Sequence, residues 1–229
     1  MKHKKGWNAW DYQGYVSEFL SLKCAGDVLN VVAPLGTKAQ KEITETMAII
    51  RVLRGITLKR PMELKLIDMC AGNALTSVLA VHLLPIVEAI AVDKRKRERR
   101  WDSVQRFKYV TSTVKEYELV CAPSIIIAVH PCKTAVEIID YFRLCKYADY
   151  LVMMPCCEGG TDRNVKSFTS LELEKFGRYE QWCLYLAESC RYRPEQIGSP
   201  DTIEVKAYRD KKCLNPKNIV IIAKKKGVK

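Results

Sequence analysis

"LKLIDMCAGNALTSVLAV", residues 64 to 81, sets a short apolar run, an acid and a glycine-centred turn directly ahead of an apolar helical pattern. A strand closed by Asp68, a turn through Cys70, Ala71, Gly72 and Asn73, and a helix from about Ala74 make the opening unit of a parallel α/β sheet. In such sheets ligands bind outside the carboxyl ends of the strands. There a glycine lets the backbone come close and the helix N-terminus offers unpaired N–H groups. The run "AIAVDK", residues 89 to 94, ends a second strand with Asp93 and Lys94. An acid ~20 residues after the first turn is placed to accept hydrogen bonds from a ribose diol. The spacing therefore indicates an adenosine-type cofactor, against the plainer reading of a structural turn with a solvent-facing acid.

Outward from that unit the alternation continues. Strands are expected at 64–70, 87–92, 106–111, 124–130, 150–155, 202–208 and 218–224. Helices are expected at 74–84, in the basic run after Asp93, at 133–146 and at 170–192, with a glycine-containing loop at 158–164. Near-continuous Val, Ile and Leu runs imply strands buried on both faces, which predicts an α/β fold with a parallel sheet between helices. Upstream, "KAQKEITETMAIIRVLRG" (38 to 55) repeats Ile43, Met47, Ile50 and Leu53 at helical spacing, and Gly55 suits a C-cap. Pro61 breaks that pattern, so the chain divides into a helical extension over 1–60 and the α/β domain over 61–229. Trp7, Trp10, Tyr12 and Tyr15 are read as packing the extension onto the sheet.

The 229 residues suffice for one sizeable domain with an appendage, and 48% hydrophobic with 28% charged residues is a globular composition. Lys and Arg number 38 against 26 Asp and Glu, a formal charge of +12 that favours polyanions such as RNA or DNA and also serves solubility. Six of the seven residues in "KRKRERR" (94 to 100) are basic. At a helix N-terminus each such cation costs ~0.3–1 kcal/mol, so a compensating gain is expected. Phosphate contact through Arg95, Lys96 and Arg97 is that gain, with Trp101 stacking on a base or packing inward; the alternative is a solvated helix face. The apolar stretch Leu75 to Val92 is interrupted by His82, Pro85 and Glu88 and makes a poor membrane span. "MKHKKGWNAWDY" shows no apolar signal region, and a cytoplasmic location is expected. The ten cysteines are scattered and several lie in apolar runs, which points to reduced core thiols. Adjacent Cys156 and Cys157 are awkward ligands for one zinc, whose structural sites use C-x₂₋₄-C, and no metal is assigned.

"DMCAGNAL" with "AVDK" resembles motifs I and II of the Rossmann-like (class I) S-adenosylmethionine-dependent methyltransferases. "HPCKTAVEIIDYF" (130 to 142) resembles their H-x-C-G-x-L segment after the fourth strand, "VMMPCCEG" (152 to 159) the P-C-C after the fifth, and "KAQKEI" (38 to 43) the K-K-x-x-E-I helix before motif I. The set is characteristic of a Cys-rich branch that includes the tRNA 2′-O-methyltransferase of the acceptor stem. Ala74 and Lys133 stand where that branch usually has Gly. The resemblance implies a seven-stranded, mostly parallel sheet with helices on both faces and the last strand inserted antiparallel. It implies S-adenosyl-L-methionine as cofactor, and the basic charge adds RNA, with tRNA a candidate, as partner.

By the same resemblance, Asp68 orders the methionine end of the cofactor, Cys70, Ala71, Gly72 and Asn73 pass under it, and Asp93 with Lys94 holds the ribose. Ser112 or Thr113 stands near the adenine. His130, Pro131, Cys132 and Lys133 lie beside the sulfonium. His130 is the first candidate for a base, because imidazole titrates near neutrality; Lys133 and Glu158 follow. A buried, hydrogen-bonded histidine is the plainer reading of His130. Cys132 has an alternative role as a nucleophile, as Pro-Cys has in RNA cytosine-C5 methyltransferases, although those carry an acid where this chain has His130. Pro155, Cys156 and Cys157 frame the acceptor pocket. Two other functions remain open: methylation of a protein or small molecule, and an inactive cofactor-fold protein that binds RNA. A nicotinamide oxidoreductase expects G-x-G-x-x-G, which "CAGNAL" does not supply.

Overall fold

The computed structural model describes residues 14–156, 177–191 and 203–227. Three helices come first: α1 (Tyr15–Leu20), α2 (Ala25–Val32) and α3 (Ala39–Thr57). Then follow β1 (Lys65–Met69), α4 (Leu75–Leu83), β2 (Ala89–Asp93), β3 (Phe107–Thr111), β4 (Ser124–Val129), α5 (Ala135–Leu144) and β5 (Ala148–Met154). The chain ends with α6 (Arg178–Arg191), β6 (Ile203–Arg209) and β7 (Ile219–Lys225). The strands form one sheet in the order β3-β2-β1-β4-β5-β7-β6. β1 to β5 pair in parallel, and β7 lies antiparallel between β5 and β6.

Successive residues of the central strands enter opposite cores. Leu66, Ala91, Ile127 and Val152 pack with α1 to α4 on one face, while Ile67, Val92, Ile126 and Met153 pack with α5 and α6 on the other. Each fully buried Ile or Leu contributes about 1.5–3 kcal/mol, so both faces need covering. This is why the strands read as continuous apolar runs. The first three helices share a core with the sheet through Phe19, Val28, Met47, Ile50 and Leu53, and Tyr15 donates to Asp210 Oδ2 at 2.7 Å.

Local departures from the sequence reading have local causes. The basic run 94–100 is not helical. Asp93 Oδ1 accepts the Arg95 backbone N–H at 2.9 Å and turns the chain, so the cations do not crowd a helix N-terminus. A single 3₁₀ turn at Trp101–Ser103 follows, and Trp101 packs inward, stacked on Tyr109 with centroids 3.8 Å apart. Gly55 lies inside α3, which continues to Thr57 and is capped at Leu58. α5 opens at Ala135 after a 3₁₀ turn over Cys132–Thr134. Of the described cysteines only Cys145, Cys183, Cys190 and Cys213 are buried; Cys121 and Cys132 are exposed, so fewer thiols belong to the core than expected. Trp7, Trp10, Tyr12, the 158–164 loop and positions 170–176 lie outside the described residues. Among the described residues no helix is long and apolar enough to cross a membrane.

Strand order runs outward from β1 to β3 on one side and from β4 to β5 on the other. The crevice at the carboxyl ends of β1 and β4 is therefore the switch point, where open α/β sheets bind ligands.

Candidate active site

A cleft of about 320 Å³ opens there, at the lower end of the range for small-molecule sites. Its floor is the turn from Cys70 to Asn73, one wall is the first part of α3 with Lys41, Glu42, Glu45 and Thr46, and the rim carries Arg95, Arg97 and His130. The turn is tightly wound. Cys70, Gly72 and Ala74 all have left-handed backbone, with φ of 63°, 57° and 59°. Such a conformation costs an L-residue roughly 1–2 kcal/mol, so a constraint must hold it. The Ala71 N–H donates to Val92 O at 3.1 Å, the Gly72 N–H to Asp93 Oδ2 at 2.9 Å, and the Ala74 N–H to Ala71 O at 2.8 Å. A Cβ on Gly72 would meet no atom of the described residues within 4 Å. Ala74 supplies the conformation at the helix start that Gly adopts without penalty, and its methyl is fully buried in the core.

Two carboxylates flank the floor. Asp68 is buried beneath it and accepts from Ser77 Oγ at 2.7 Å. Burial pushes its pKa up to about 7, Ser77 opposes the shift and the charge of Asp93 adds to it. Asp93 is buried too, yet its pKa is lowered: burial acts upward, but the Arg95 side chain and the N–H groups of Arg95 and Gly72 outweigh it. Arg95 Nε lies 3.1 Å from Asp93 Oδ1 while the Arg95 side chain is 60% exposed. The guanidinium thus covers the carboxylate edge that a ribose diol is expected to take, from a largely exposed position. Arg95→Ala is accordingly expected to tighten S-adenosylhomocysteine binding about 2- to 5-fold, the scale of one half-exposed ion pair. Calorimetry showing unchanged or weaker affinity would contradict that competition.

His130 ends β4 in left-handed backbone at φ 59°, with its N–H donated to Met154 O at 2.9 Å. Its Nε2 lies 2.8 Å from Glu45 Oε1, within ion-pair distance but out of line for a straight hydrogen bond. Glu45 is buried and also accepts from Asn215 Nδ2 at 2.7 Å. Burial raises the Glu45 pKa, but the hydrogen bond and charge of His130, then Asn215 and Lys41, leave it lowered. Glu42 is raised, first by burial and then by Glu45.

The other predicted site residues separate. Asn73 reaches the cleft and accepts from Arg97 at 3.0 Å and Arg99 at 3.4 Å. Lys94 and Lys96 are exposed, and neither lines the cleft. Ser112 lies in a separate groove with Thr111, Glu116 and Tyr117. Cys132 and Lys133 are exposed in the 3₁₀ turn, and Cys132 Sγ contacts Cys156 Sγ at 3.3 Å. Pro155 is buried, and its carbonyl accepts from Tyr179 at 3.1 Å. Cys157 and Glu158 lie outside the described residues. Among the described residues no three His, Cys, Asp or Glu side chains converge as a metal set. Lys41, Glu42, Glu45 and Asn215 were not foreseen. A signal existed only for Glu42, the acid of the helix resembling K-K-x-x-E-I.

An open turn, a buried acid beneath it, an acid at the end of the next strand and a polar group closing β4 lie together at the switch point of the sheet. The chain belongs to the methyltransferase-domain family, which it matches over residues 38–162. It is an S-adenosylmethionine-dependent methyltransferase of the Rossmann-like class. Several solved structures are similar to the chain. The 23S rRNA methyltransferase ErmE is 13% identical with a TM-score of 0.50, over 80% of this chain and 68% of that one. An rRNA methylase from Streptococcus thermophilus is 13% identical, with a TM-score of 0.48 over 77% and 95%. The plantazolicin methyltransferase BpumL, in complex with SAH, is 11% identical, with a TM-score of 0.49 over 93% and 95%. No curated protein matches the chain.

Proposed function

We propose that the chain methylates RNA, with tRNA as the first candidate substrate. The observation that carries this reading is the basic run folded over the cofactor turn. Arg95 and Arg97 line the cleft, Arg97 and Arg99 converge on Asn73, and the Nε atoms of Arg97 and Arg99 are buried without partners among the described residues. Buried guanidinium N–H groups left unpaired favour an anion, and a phosphate backbone is the polyanion that a net charge of +12 attracts.

The bound cofactor supplies an electrophilic methyl group on a cationic sulfur. The residues present fit it: Gly72 leaves room over the turn, and Glu42 and Glu45 form an acidic wall for cationic groups. Asp93 holds the ribose once Arg95 withdraws, and Asp68 fixes the turn from below through Ser77. The protein's main task is alignment, since in-line transfer gains most from positioning. His130, at the mouth of β4, faces the incoming acceptor.

Labelled methyl groups from S-adenosylmethionine, offered to total RNA and to protein fractions, test the reading. Label in RNA is expected; label confined to protein or to small molecules would overturn it.

A further inference from the structure

We infer that the groove between the second half of α3 and the exposed face of β6 and β7 holds a single strand of RNA, apart from the cofactor cleft. The inference rests on the RNA reading given above.

The groove encloses about 490 Å³ and draws its lining from both elements. Arg51 and Gly55 stand four residues apart on one side of α3, and Lys59 follows in the turn beyond it. Across from them the sheet alternates. Val205, Ile221 and Ala223 enter the core under α5 and α6, while Glu204, Lys206 and Tyr208 line the groove with Lys224. Strand pairing sets Tyr150, Lys224 and Glu204 in one row, with Lys206 opposite Ile222 in the next. A sheet face turned to water needs no wall, and a helix interior is more stable with alanine than with glycine. Gly55 departs from that rule. It lies inside α3, and a Cβ built on it would meet no atom of the described residues within 4 Å. Its bare backbone therefore leaves room for a ligand chain to press against the helix.

Charge and ring chemistry select the occupant. The lining carries four cations, Arg51, Lys59, Lys206 and Lys224, against one carboxylate, Glu204. Lys206 Nζ meets that carboxylate at 2.9 Å from a side chain 73% exposed, and Lys224 Nζ lies 5.8 Å from the centre of the Tyr150 ring. Arg51 is hydrogen-bonded to Tyr15. Contacts of this kind at exposed positions are weak enough for a phosphate to displace. Tyr208 is 41% exposed and offers its ring to a base. Cations on both walls and an open tyrosine fit a chain that alternates phosphates with bases. A duplex hides its bases and would leave Tyr208 unused. The helix also links the groove to the chemistry. Lys41 to Thr46 of α3 wall the cofactor cleft, and Glu45 lies about 15 Å along the axis from Gly55. A strand held in the groove thus keeps a neighbouring segment within reach of the cleft.

Fluorescence anisotropy of the full chain with a labelled single-stranded RNA of about 12 nucleotides, over a series of KCl concentrations, tests the groove. Lys59→Gln and Lys206→Gln are each expected to weaken binding about 2- to 5-fold and to reduce the salt slope by about 0.7. Tyr208→Ala is expected to weaken it about 5- to 100-fold with the slope unchanged. Gly55→Gln fills the groove without altering charge. It is expected to raise the thermal unfolding midpoint and yet to weaken binding at least as much as either lysine change. S-adenosylhomocysteine affinity is expected to stay within about twofold in all four variants, since none of these residues lines the cleft. No RNA binding by the unmodified chain overturns the groove, as do unchanged affinity and slope in the lysine variants or full binding by Gly55→Gln. Competition by polyglutamate as strong as by RNA, or tighter binding of a duplex than of the strand, overturns the choice of occupant. RNA bound in this way without methyl transfer to it leaves the groove standing and removes RNA as the substrate. Methyl transfer to RNA with unchanged kinetics in the variants does the reverse.

Discussion

Asp68→Asn is expected to stabilise the cofactor-free chain at pH 8 while weakening cofactor binding. Burial raises the Asp68 carboxyl to about 7, against the hydrogen bond that Ser77 donates to it. From the ordinary carboxylate range up to about 7 the folded chain holds a proton that the unfolded chain has released. Stability therefore falls as pH rises through that window, and the loss is complete above it. At 1.36 kcal/mol per unit the loss reaches about 4 kcal/mol as an upper bound. An uncharged Asn of the same shape removes it. At about 2–4 °C per kcal/mol for a domain of this size, thermal unfolding at pH 8 is expected to rise by several degrees, with little change at pH 4. The same substitution removes a negative charge buried beneath the floor of the cleft, and affinity for S-adenosylhomocysteine is expected to fall about 3- to 10-fold. Equal unfolding temperatures for the two proteins at pH 8 would contradict the burial argument.

Gly72→Val is expected to abolish cofactor binding in a chain that still folds. At φ 57° a β-branched residue pays at least the roughly 1–2 kcal/mol of left-handed backbone, which a core on both faces of the sheet can absorb. Its side chain would project into the open volume over the turn, where the cofactor must lie. A ligand at 100 times its Kd stabilises a protein by about 2.7 kcal/mol. That stabilisation by S-adenosylhomocysteine is expected for the unmodified chain and is expected to vanish in Gly72→Val. Ala74→Gly is the contrasting change. It relieves φ 59° but removes a fully buried methyl. The two effects are each about 1 kcal/mol and oppose one another, so stability and binding are expected to change little.

The sheet was legible because strands buried on both faces must be apolar at every position, and "LKLIDM", "AIAVD" and "SIIIAV" are nearly so. The turn at the switch point was legible because a close backbone turn after a strand favours a glycine, and Gly72 and Asp93 stand at the carboxyl ends of neighbouring strands as the spacing indicates. The basic run was misread as a helix because its conformation is set by the Asp93 side chain and by Asn73, groups that periodicity ignores. Glu45 could not have been found. It lies on the side of α3 away from Ile43, Met47 and Ile50, where a charge reads as solvated. It is buried where His130 and Asn215 reach it, and Asn215 is 170 residues away in the chain.

The central claim is that the cleft over the Gly72 turn is the cofactor site, closed on the ribose side by Asp93. Isothermal titration of the unmodified chain and of Asp93→Ala with S-adenosylhomocysteine tests it most directly. One site per chain is predicted for the unmodified protein, with affinity lowered about 100-fold in Asp93→Ala, the scale of two charge-assisted hydrogen bonds to a diol. No binding by the unmodified chain, or equal binding by the two proteins, would contradict the account.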